Sequence, residues 1–269
     1  MKFSEAVKLL CDGGVENPAF DAAMLFEHFS GVSRVGISAR DPDCQSPDLE
    51  EAVKKRAQRE PLQYIIGTVG FYREEYEVSG DCLIPRSDTE ILVDYAVKHI
   101  PSGSQFLDLC TGSGCIAVST LKNTASTTAK ALDISEGALA LARRNSQKNG
   151  VSDRIEFLKG DVLTKAVGGK YSAILSNPPY VTEEEYKSLE PELYYEPKCA
   201  LVSGESGIEF YERILALYCK SLSEGGFFAF EIGSTQGNDL CRLGESCGME
   251  SEILKDYSGN DRVVVMRKK

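Results

Sequence analysis

The chain has 269 residues, 42% hydrophobic and 26% charged, the mix of a globular protein with a sizeable core in one large or two smaller domains. Forty-one acidic against 30 basic residues leave a net charge of −11, which disfavours a protein built to neutralise the phosphates of a nucleic acid. No apolar run precedes a small-residue cleavage site and no stretch of about 18 apolar residues occurs, so neither a signal peptide nor a transmembrane helix is expected, and the location is read as cytoplasmic.

Along the chain, Phe3, Val7 and Leu10, then Ala22, Leu25, Phe26 and Phe29, recur at helical spacing. Ser46 before Pro47 is a cap with proline at the first helical position and opens a helix to about Arg59. Lys54, Lys55, Arg56 and Arg59 alternate there with Glu50, Glu51 and Glu60, as on a solvated helix face. Residues 1–63 are read as a small helical domain for packing or partner docking. From Tyr64 to Val78 the residues become β-branched and aromatic with glycine punctuation, which predicts a β-hairpin linker over 64–82. Ser87 and Glu90 stand at capping-box spacing ahead of Ile91, Leu92, Tyr95 and Ala96.

Residues 83–269 form the third segment. Strand-like runs at 106–109, 130–133, 155–158, 171–175 and 227–232 alternate with helix-like runs at 115–122, 136–148, 207–222 and 235–247. Alternating βα units predict a parallel sheet covered by helices on both faces. Two β runs flanking residues 258–261 close the chain as an antiparallel hairpin. Nine cysteines, an odd count without a CxxC pair, argue against a disulfide framework and a zinc site; they are read as small buried hydrophobes, and no metal is expected.

Two constellations carry chemistry. The first, Phe106 to Cys115, joins a strand, a turn with Gly112 and Gly114, and a helix start. Glycine lets the backbone approach a ligand that a Cβ would hold away, and the helix N-terminus offers free N–H groups. Asp133 follows at the end of the next strand, where a carboxylate accepts hydrogen bonds from ribose hydroxyls. Ala117 and Val118 stand where the dinucleotide fingerprint has its third glycine, which favours an adenosyl ligand without phosphates over NAD or FAD.

The second constellation is Asn177-Pro178-Pro179-Tyr180, directly after the strand at 171–175 and so at the edge where open α/β sheets carry their ligand crevice. The prolines remove N–H donors and leave carbonyl acceptors. The Asn177 side-chain carbonyl beside the Pro178 backbone carbonyl presents two acceptors to an NH₂ group, and the Tyr180 ring covers a flat group from above. Carboxamides, adenine and guanine all fit. Their nitrogens are poor nucleophiles because the lone pair is delocalised; holding both N–H bonds aims that lone pair, and orientation supplies rate.

Asp108-Leu-Cys-Thr-Gly-Ser-Gly114, Asp133, Asn177 to Tyr180 and Leu83 to Glu90 together resemble the PrmC/HemK family, protein N5-glutamine methyltransferases that modify peptide chain release factors. Further matches are Glu196-Pro197, Ala200-Leu201, Gly204 to Gly207, Tyr211 to Ile214, Gly226 leading to Glu231-Ile-Gly233, and Asp261 to Val264, so the resemblance covers essentially the whole chain. It implies an α/β class I S-adenosylmethionine-dependent methyltransferase fold, Rossmann-like with a mostly parallel seven-stranded sheet, behind a helical N-terminal domain. S-adenosyl-L-methionine, leaving as S-adenosyl-L-homocysteine, would contact Cys110, Thr111, Gly112, Ser113, Gly114, Asp133, Val162 and Asn177. Asn177, Pro178, Pro179 and Tyr180 would grip the substrate glutamine, with Asn177, Pro178 and Tyr180 in the catalytic role, and Phe71 and Arg86 near the substrate entrance. The partner implied is a class 1 release factor carrying a Gly-Gly-Gln tripeptide, met by a monomer with no stable nucleic-acid partner and no membrane. Two departures stand out: the loop begins Cys110-Thr111 where the family has Gly-Thr, and Arg86-Ser-Asp-Thr-Glu90 replaces Arg-Pro-Glu-Thr-Glu. Neither removes a group the chemistry needs.

Other readings stay open: glutamine methylation of a ribosomal protein, methylation of an exocyclic amino group in nucleic acid, and a non-catalytic adenosyl-binding scaffold. His28 and His99 are read as structural, Glu183 to Glu185 as a solvated helix start, and Tyr194 and Tyr195 as either channel or core.

Overall fold

Apolar residues at helical spacing bury one face of each N-terminal helix: Leu10, Leu25, Phe26, Leu49 and Val53 are fully buried in one cluster. This computed structural model describes residues 1–34, 37 and 41–268, and the chain divides into two units, 1–68 with 190–195 and 69–189 with 196–269.

The first unit holds α1 (Phe3–Asp12), α2 (Pro18–Ser30), α3 (Pro47–Ala57) and α4 (Leu62–Ile66). Ser46 Oγ accepts from the Leu49 N–H at 3.3 Å, and Pro47 needs no partner for its missing N–H, so α3 starts as the sequence predicts; it ends at Ala57, short of Arg59. Residues 64–66 belong to α4 and not to the expected hairpin. A short apolar run fits either period, and here Gly67, at φ +82° with its N–H on the Gln63 carbonyl, ends a helical turn before the strands begin.

In the basic cluster Lys54 and Lys55 are exposed, as the solvated reading expects, but Arg56 and Arg59 depart from it. Arg56 is buried, donating from Nε to Asp21 Oδ2 at 2.7 Å and from Nη2 to Glu192 Oε1 at 2.8 Å, while Arg59 Nε reaches the same Glu192 oxygen at 2.6 Å. Burial lifts the Glu192 carboxyl, but the hydrogen bonds from Arg59 and Arg56 outweigh it and hold the pKa at about 2.

The second unit opens with the hairpin β1 (Thr68–Phe71) and β2 (Glu74–Glu77), then α5 (Glu90–His99). The expected Ser87 capping box is absent. Residues Ser87–Thr89 turn as a 3₁₀ segment, and Glu90 Oε1 accepts from the Tyr72 N–H at 2.8 Å instead. There follow β3 (Gln105–Leu109), α6 (Cys115–Lys122), β4 (Thr128–Asp133), α7 (Glu136–Lys148), β5 (Ile155–Lys159) and β6 (Tyr171–Ser176). A short parallel pair, β7 (Val181–Thr182) and β8 (Val202–Gly204), encloses α8 (Glu183–Tyr186) and α9 (Lys198–Leu201). Thr182 Oγ1 caps α8 by accepting from the Glu185 N–H at 3.1 Å. The unit closes with α10 (Glu209–Tyr218), β9 (Leu222–Glu231), α11 (Gly237–Ser246), β10 (Met249–Lys255) and β11 (Asp261–Lys268).

Seven strands form one sheet in the order β10-β11-β9-β6-β3-β4-β5, parallel except where β11 pairs with β9 and β10. Strand alternation sorts its side chains between two cores. Phe106, Ala173, Leu175, Phe227, Ala229, Val263 and Val265 join α5 and α6 on one face, whereas Leu107, Ile174, Phe228, Phe230, Val264 and Met266 join α10 and α11 on the other. The central strands therefore read as continuous apolar runs. Among the described residues no disulfide joins the cysteines; Cys82 and Cys115 are buried as expected, whereas Cys44, Cys110, Cys219 and Cys241 are half-buried and Cys11, Cys199 and Cys247 exposed. Among the described residues no helix is long and apolar enough to cross a membrane and no metal-holding group of His, Cys, Asp or Glu occurs.

Arg56→Met leaves Asp21 buried without its cation, and should lower stability by about 3 kcal/mol in urea denaturation, a cost that a surface ion pair would not show.

Candidate active site

The neighbours of β3 are β4 on one side and β6 on the other, so the chains leaving these three strands part at the carboxyl edge and open a crevice. A cavity of about 220 Å³ lies there.

Leaving β3, the backbone turns left-handed at Cys110 (φ +58°), Gly112 (+54°) and Gly114 (+82°). Cys110 thus holds a conformation that suits glycine, at the position where the sequence departs from the family pattern. A Cβ on Gly114 would stand 3.0 Å from the Ala142 Cβ, so only glycine lets α6 start this close to α7. The Thr111 N–H reaches the Leu132 carbonyl at 3.1 Å, tying the loop to β4. Beneath it, Asp108 is fully buried; its Oδ2 accepts from Thr111 Oγ1 at 2.5 Å and its Oδ1 has no partner. Burial pushes this carboxyl up to about 7, against the pull of the Thr111 hydroxyl and the Ala117 N–H.

Asp133 ends β4 and organises the next wall. Its Oδ2 accepts from the Gly112 N–H at 2.8 Å and its Oδ1 from the Ser135 N–H at 2.9 Å, while Ser135 Oγ caps α7 through the Ala138 N–H at 3.2 Å. Each carboxylate oxygen keeps a further acceptor direction. Burial raises the Asp133 pKa, against the pull of these backbone donors.

Ser176 Oγ donates to the Leu109 carbonyl at 2.7 Å, fixing the end of β6 beside β3. Asn177 follows, half-buried, with Nδ2 donating to Thr89 Oγ1 at 3.4 Å. Pro178 and Pro179 are buried, and the Tyr180 hydroxyl donates to Glu231 Oε1 at 3.5 Å. Burial lifts the Tyr180 hydroxyl well above its usual range. Burial also brings Glu231 up to about 7, opposed by the Thr89 hydroxyl and the Arg262 charge.

Cys110, Thr111, Gly112, Ser113, Asp133, Val162, Asn177, Pro179 and Arg86 share the cavity wall. Gly114, Pro178 and Tyr180 adjoin it without lining it, and Phe71 is 2% exposed, packed edge-to-face on Tyr76 at 5.8 Å within the core. Arg86 Nη2 is hydrogen-bonded to Glu196 Oε1, whose Oε2 accepts from the Ile84 N–H at 3.0 Å, so one buried carboxylate holds the wall segment 84–86. Tyr194 and Tyr195 are 46% and 42% exposed, so core packing does not describe them. His28 and His99 are exposed and pack on Phe29 and Tyr95. Sequence reasoning gave no role to Thr89, Glu196, Glu231 or Ile134, an apolar side chain 59% exposed at the cavity. Thr89, Glu196 and Glu231 stand in segments that match the family pattern, which marked them without giving a role, and Ile134 had as its signal its place directly after the acidic end of β4.

Residues 87–204 match the methyltransferase small domain, and residues 3–67 the PrmC N-terminal domain. The strand order is that of the class I methyltransferases, and the ribosomal protein L11 methylase of Lactobacillus delbrueckii subsp. bulgaricus shares the fold at TM-score 0.52 and 19% identity, over 71% of this chain and 84% of that one. The fold and its crevice thus define a class I methyltransferase. The release factor glutamine methyltransferase of Geobacter sulfurreducens is 34% identical over 95% of this chain and 91% of its own length, and that of Caulobacter vibrioides 35% over 95% and 91%. The chain belongs to the release factor glutamine methyltransferase family.

The raised Asp108 pKa predicts a pH dependence of stability. Below its unfolded value near 3.8 the carboxyl is protonated in both states; as pH rises toward about 7 the unfolded chain ionises first, and the native state loses stability. Asp108→Asn should flatten this decline between about pH 4 and about pH 7 in calorimetric melts; an unchanged slope would place the titration elsewhere.

Proposed function

We propose that this protein methylates the side-chain amide nitrogen of the glutamine in the Gly-Gly-Gln tripeptide of a class 1 release factor. The observation that carries the reading is the placement of Asn177 at the end of β6, across the crevice from the Asp133-braced loop, in a chain of this family.

The residues present suit S-adenosylmethionine. Asp133 retains acceptor capacity for two ribose hydroxyls, Gly112 brings its backbone close without a Cβ, and Val162 and Ile134 offer apolar surface for an adenine ring. Bound there, the cofactor supplies an electrophilic methyl group and leaves as S-adenosylhomocysteine. The substrate side of the reaction belongs to the residues from Asn177 to Tyr180. Asn177 Oδ1 and the Pro178 carbonyl accept the two N–H bonds of the glutamine amide, and the Tyr180 ring restrains its plane. Gripping both N–H bonds fixes the direction of a lone pair that conjugation otherwise spreads over the amide, and much of the rate comes from this orientation. The nitrogen sheds a proton as its new bond forms, to Asn177 Oδ1 or to water. Arg86, on the wall, is held by Glu196 and stands where a polar part of the incoming segment would be met.

The test is mass spectrometry of a bacterial class 1 release factor incubated with the protein and S-adenosylmethionine. One added methyl group on the tripeptide glutamine is expected, and Asn177→Ala should lower the rate by at least about a hundredfold. An unmodified release factor, alongside measurable cofactor binding, would overturn the substrate while leaving the fold.

A further inference from the structure

A carboxamide has an oxygen at one end and an NH₂ of nearly the same size at the other. Asn177 can accept from a substrate N–H only when its oxygen faces the substrate, and something must hold it that way round. Nδ2 points to Thr89 Oγ1 at 3.4 Å, a contact made within the same unit of the fold. Thr89 is 2% exposed and its hydroxyl has one proton to give. If that proton were free to point at Asn177, the reversed amide would be equally satisfied.

Glu231 removes this freedom. It ends β9, is 2% exposed, and as a carboxylate can only accept. The Tyr180 hydroxyl donates to its Oε1 at 3.5 Å, and the Thr89 hydroxyl meets the same carboxyl group. No well-formed hydrogen bond reaches Oε2. Arg262, held by Asp256 at 3.1 Å and Asp88 at 3.3 Å, faces the group and favours its charged form, against burial and the Asp88 charge, which favour the neutral one. With its proton turned to Glu231, Thr89 would present only lone pairs to Asn177, which selects Nδ2. The same carboxylate anchors the Tyr180 ring.

We propose that Thr89 and Glu231 are positioning residues that set which way the Asn177 carboxamide faces and where the Tyr180 ring stands, so that the site accepts a substrate NH₂ group. The inference rests on the reading of Asn177 given above. It assigns Thr89 and Glu231 a polarity role in addition to tying β6, β9 and the turn before α5 together.

The full chain is tested as Thr89→Val, Thr89→Ser, Glu231→Gln and Asn177→Ala, with thermal unfolding, calorimetric titration of S-adenosylmethionine, and kcat and KM for release factor methylation. Thr89→Val keeps the shape and removes the hydroxyl. It should fold and bind the cofactor as the parent does, keep its KM for release factor, and lose on the order of ten- to a hundredfold in kcat. Thr89→Ser should restore most of that loss, which a purely steric role would not predict, and Glu231→Gln should lower kcat in the same direction. Parental kcat in both Thr89→Val and Glu231→Gln, with Asn177→Ala inactive, overturns the inference and leaves the reading of Asn177 standing. An active Asn177→Ala overturns both.

Discussion

A parallel sheet whose central strand has its two neighbours reached by crossovers on opposite faces must part its connections at one edge, and everything that distinguishes this site follows from that parting. β3 lies between β4 and β6, so the segments after Leu109, Asp133 and Ser176 emerge side by side with no strand between them. The hydrogen bond from the Gly112 N–H to Asp133 closes one side of the gap, and the bond from Ser176 to the Leu109 carbonyl fixes the other. Loop, acid and asparagine are thereby placed by backbone topology together with these two side-chain bonds.

The site is built from carboxylates that the fold would not tolerate for stability alone. Asp108, Asp133, Glu196 and Glu231 all have their pKa values raised by burial, and Asp108 and Glu231 each keep an oxygen with no well-formed hydrogen bond. A sheet packed with phenylalanine and valine on both faces can carry that penalty. The acids return it as polarity. Each accepts from a backbone or hydroxyl donor and so fixes the position of a loop that would otherwise adapt to any ligand. Asp133 does this for the glycine loop, Glu196 for the segment at 84–86, and Glu231 for Tyr180. By contrast Asp21 and Glu192, in the helical unit, are compensated by Arg56.

The elements legible from the sequence were those whose evidence is local. The βα alternation of the catalytic unit, the glycine turn with its later acid, and the proline pair after a strand each occupy a short window with a physical reason of their own. The terminal hairpin and the cap at Ser46 belong to the same group. Two of the misreadings share one cause, a partner distant in sequence. Ser87 and Glu90 had the spacing of a capping box, but Glu90 found the Tyr72 N–H, and nothing near Ser87 in sequence reveals that competitor. The basic residues of α3 alternate with acids as a solvated face does, yet Arg56 is buried because Glu192, 136 residues away, completes its partners. Residues 64–66 were apolar enough for either strand or helix, and only the left-handed Gly67 decided.

The same distinction runs through the site. The proposed substrate-binding edge was readable because Asn177 to Tyr180 sit together, whereas Thr89 lies 88 residues from Asn177 and Glu231 lies 51 from Tyr180. A side chain that touches a ligand is constrained by that ligand's chemistry, and the constraint leaves a recognisable cluster of residue types. A side chain that orients another is constrained only by where the fold delivers it. Any buried hydroxyl or carboxylate would look alike in the sequence. What marks a group of that second kind is a buried acceptor that fixes the direction of a neighbouring hydroxyl, as Glu231 does for Tyr180.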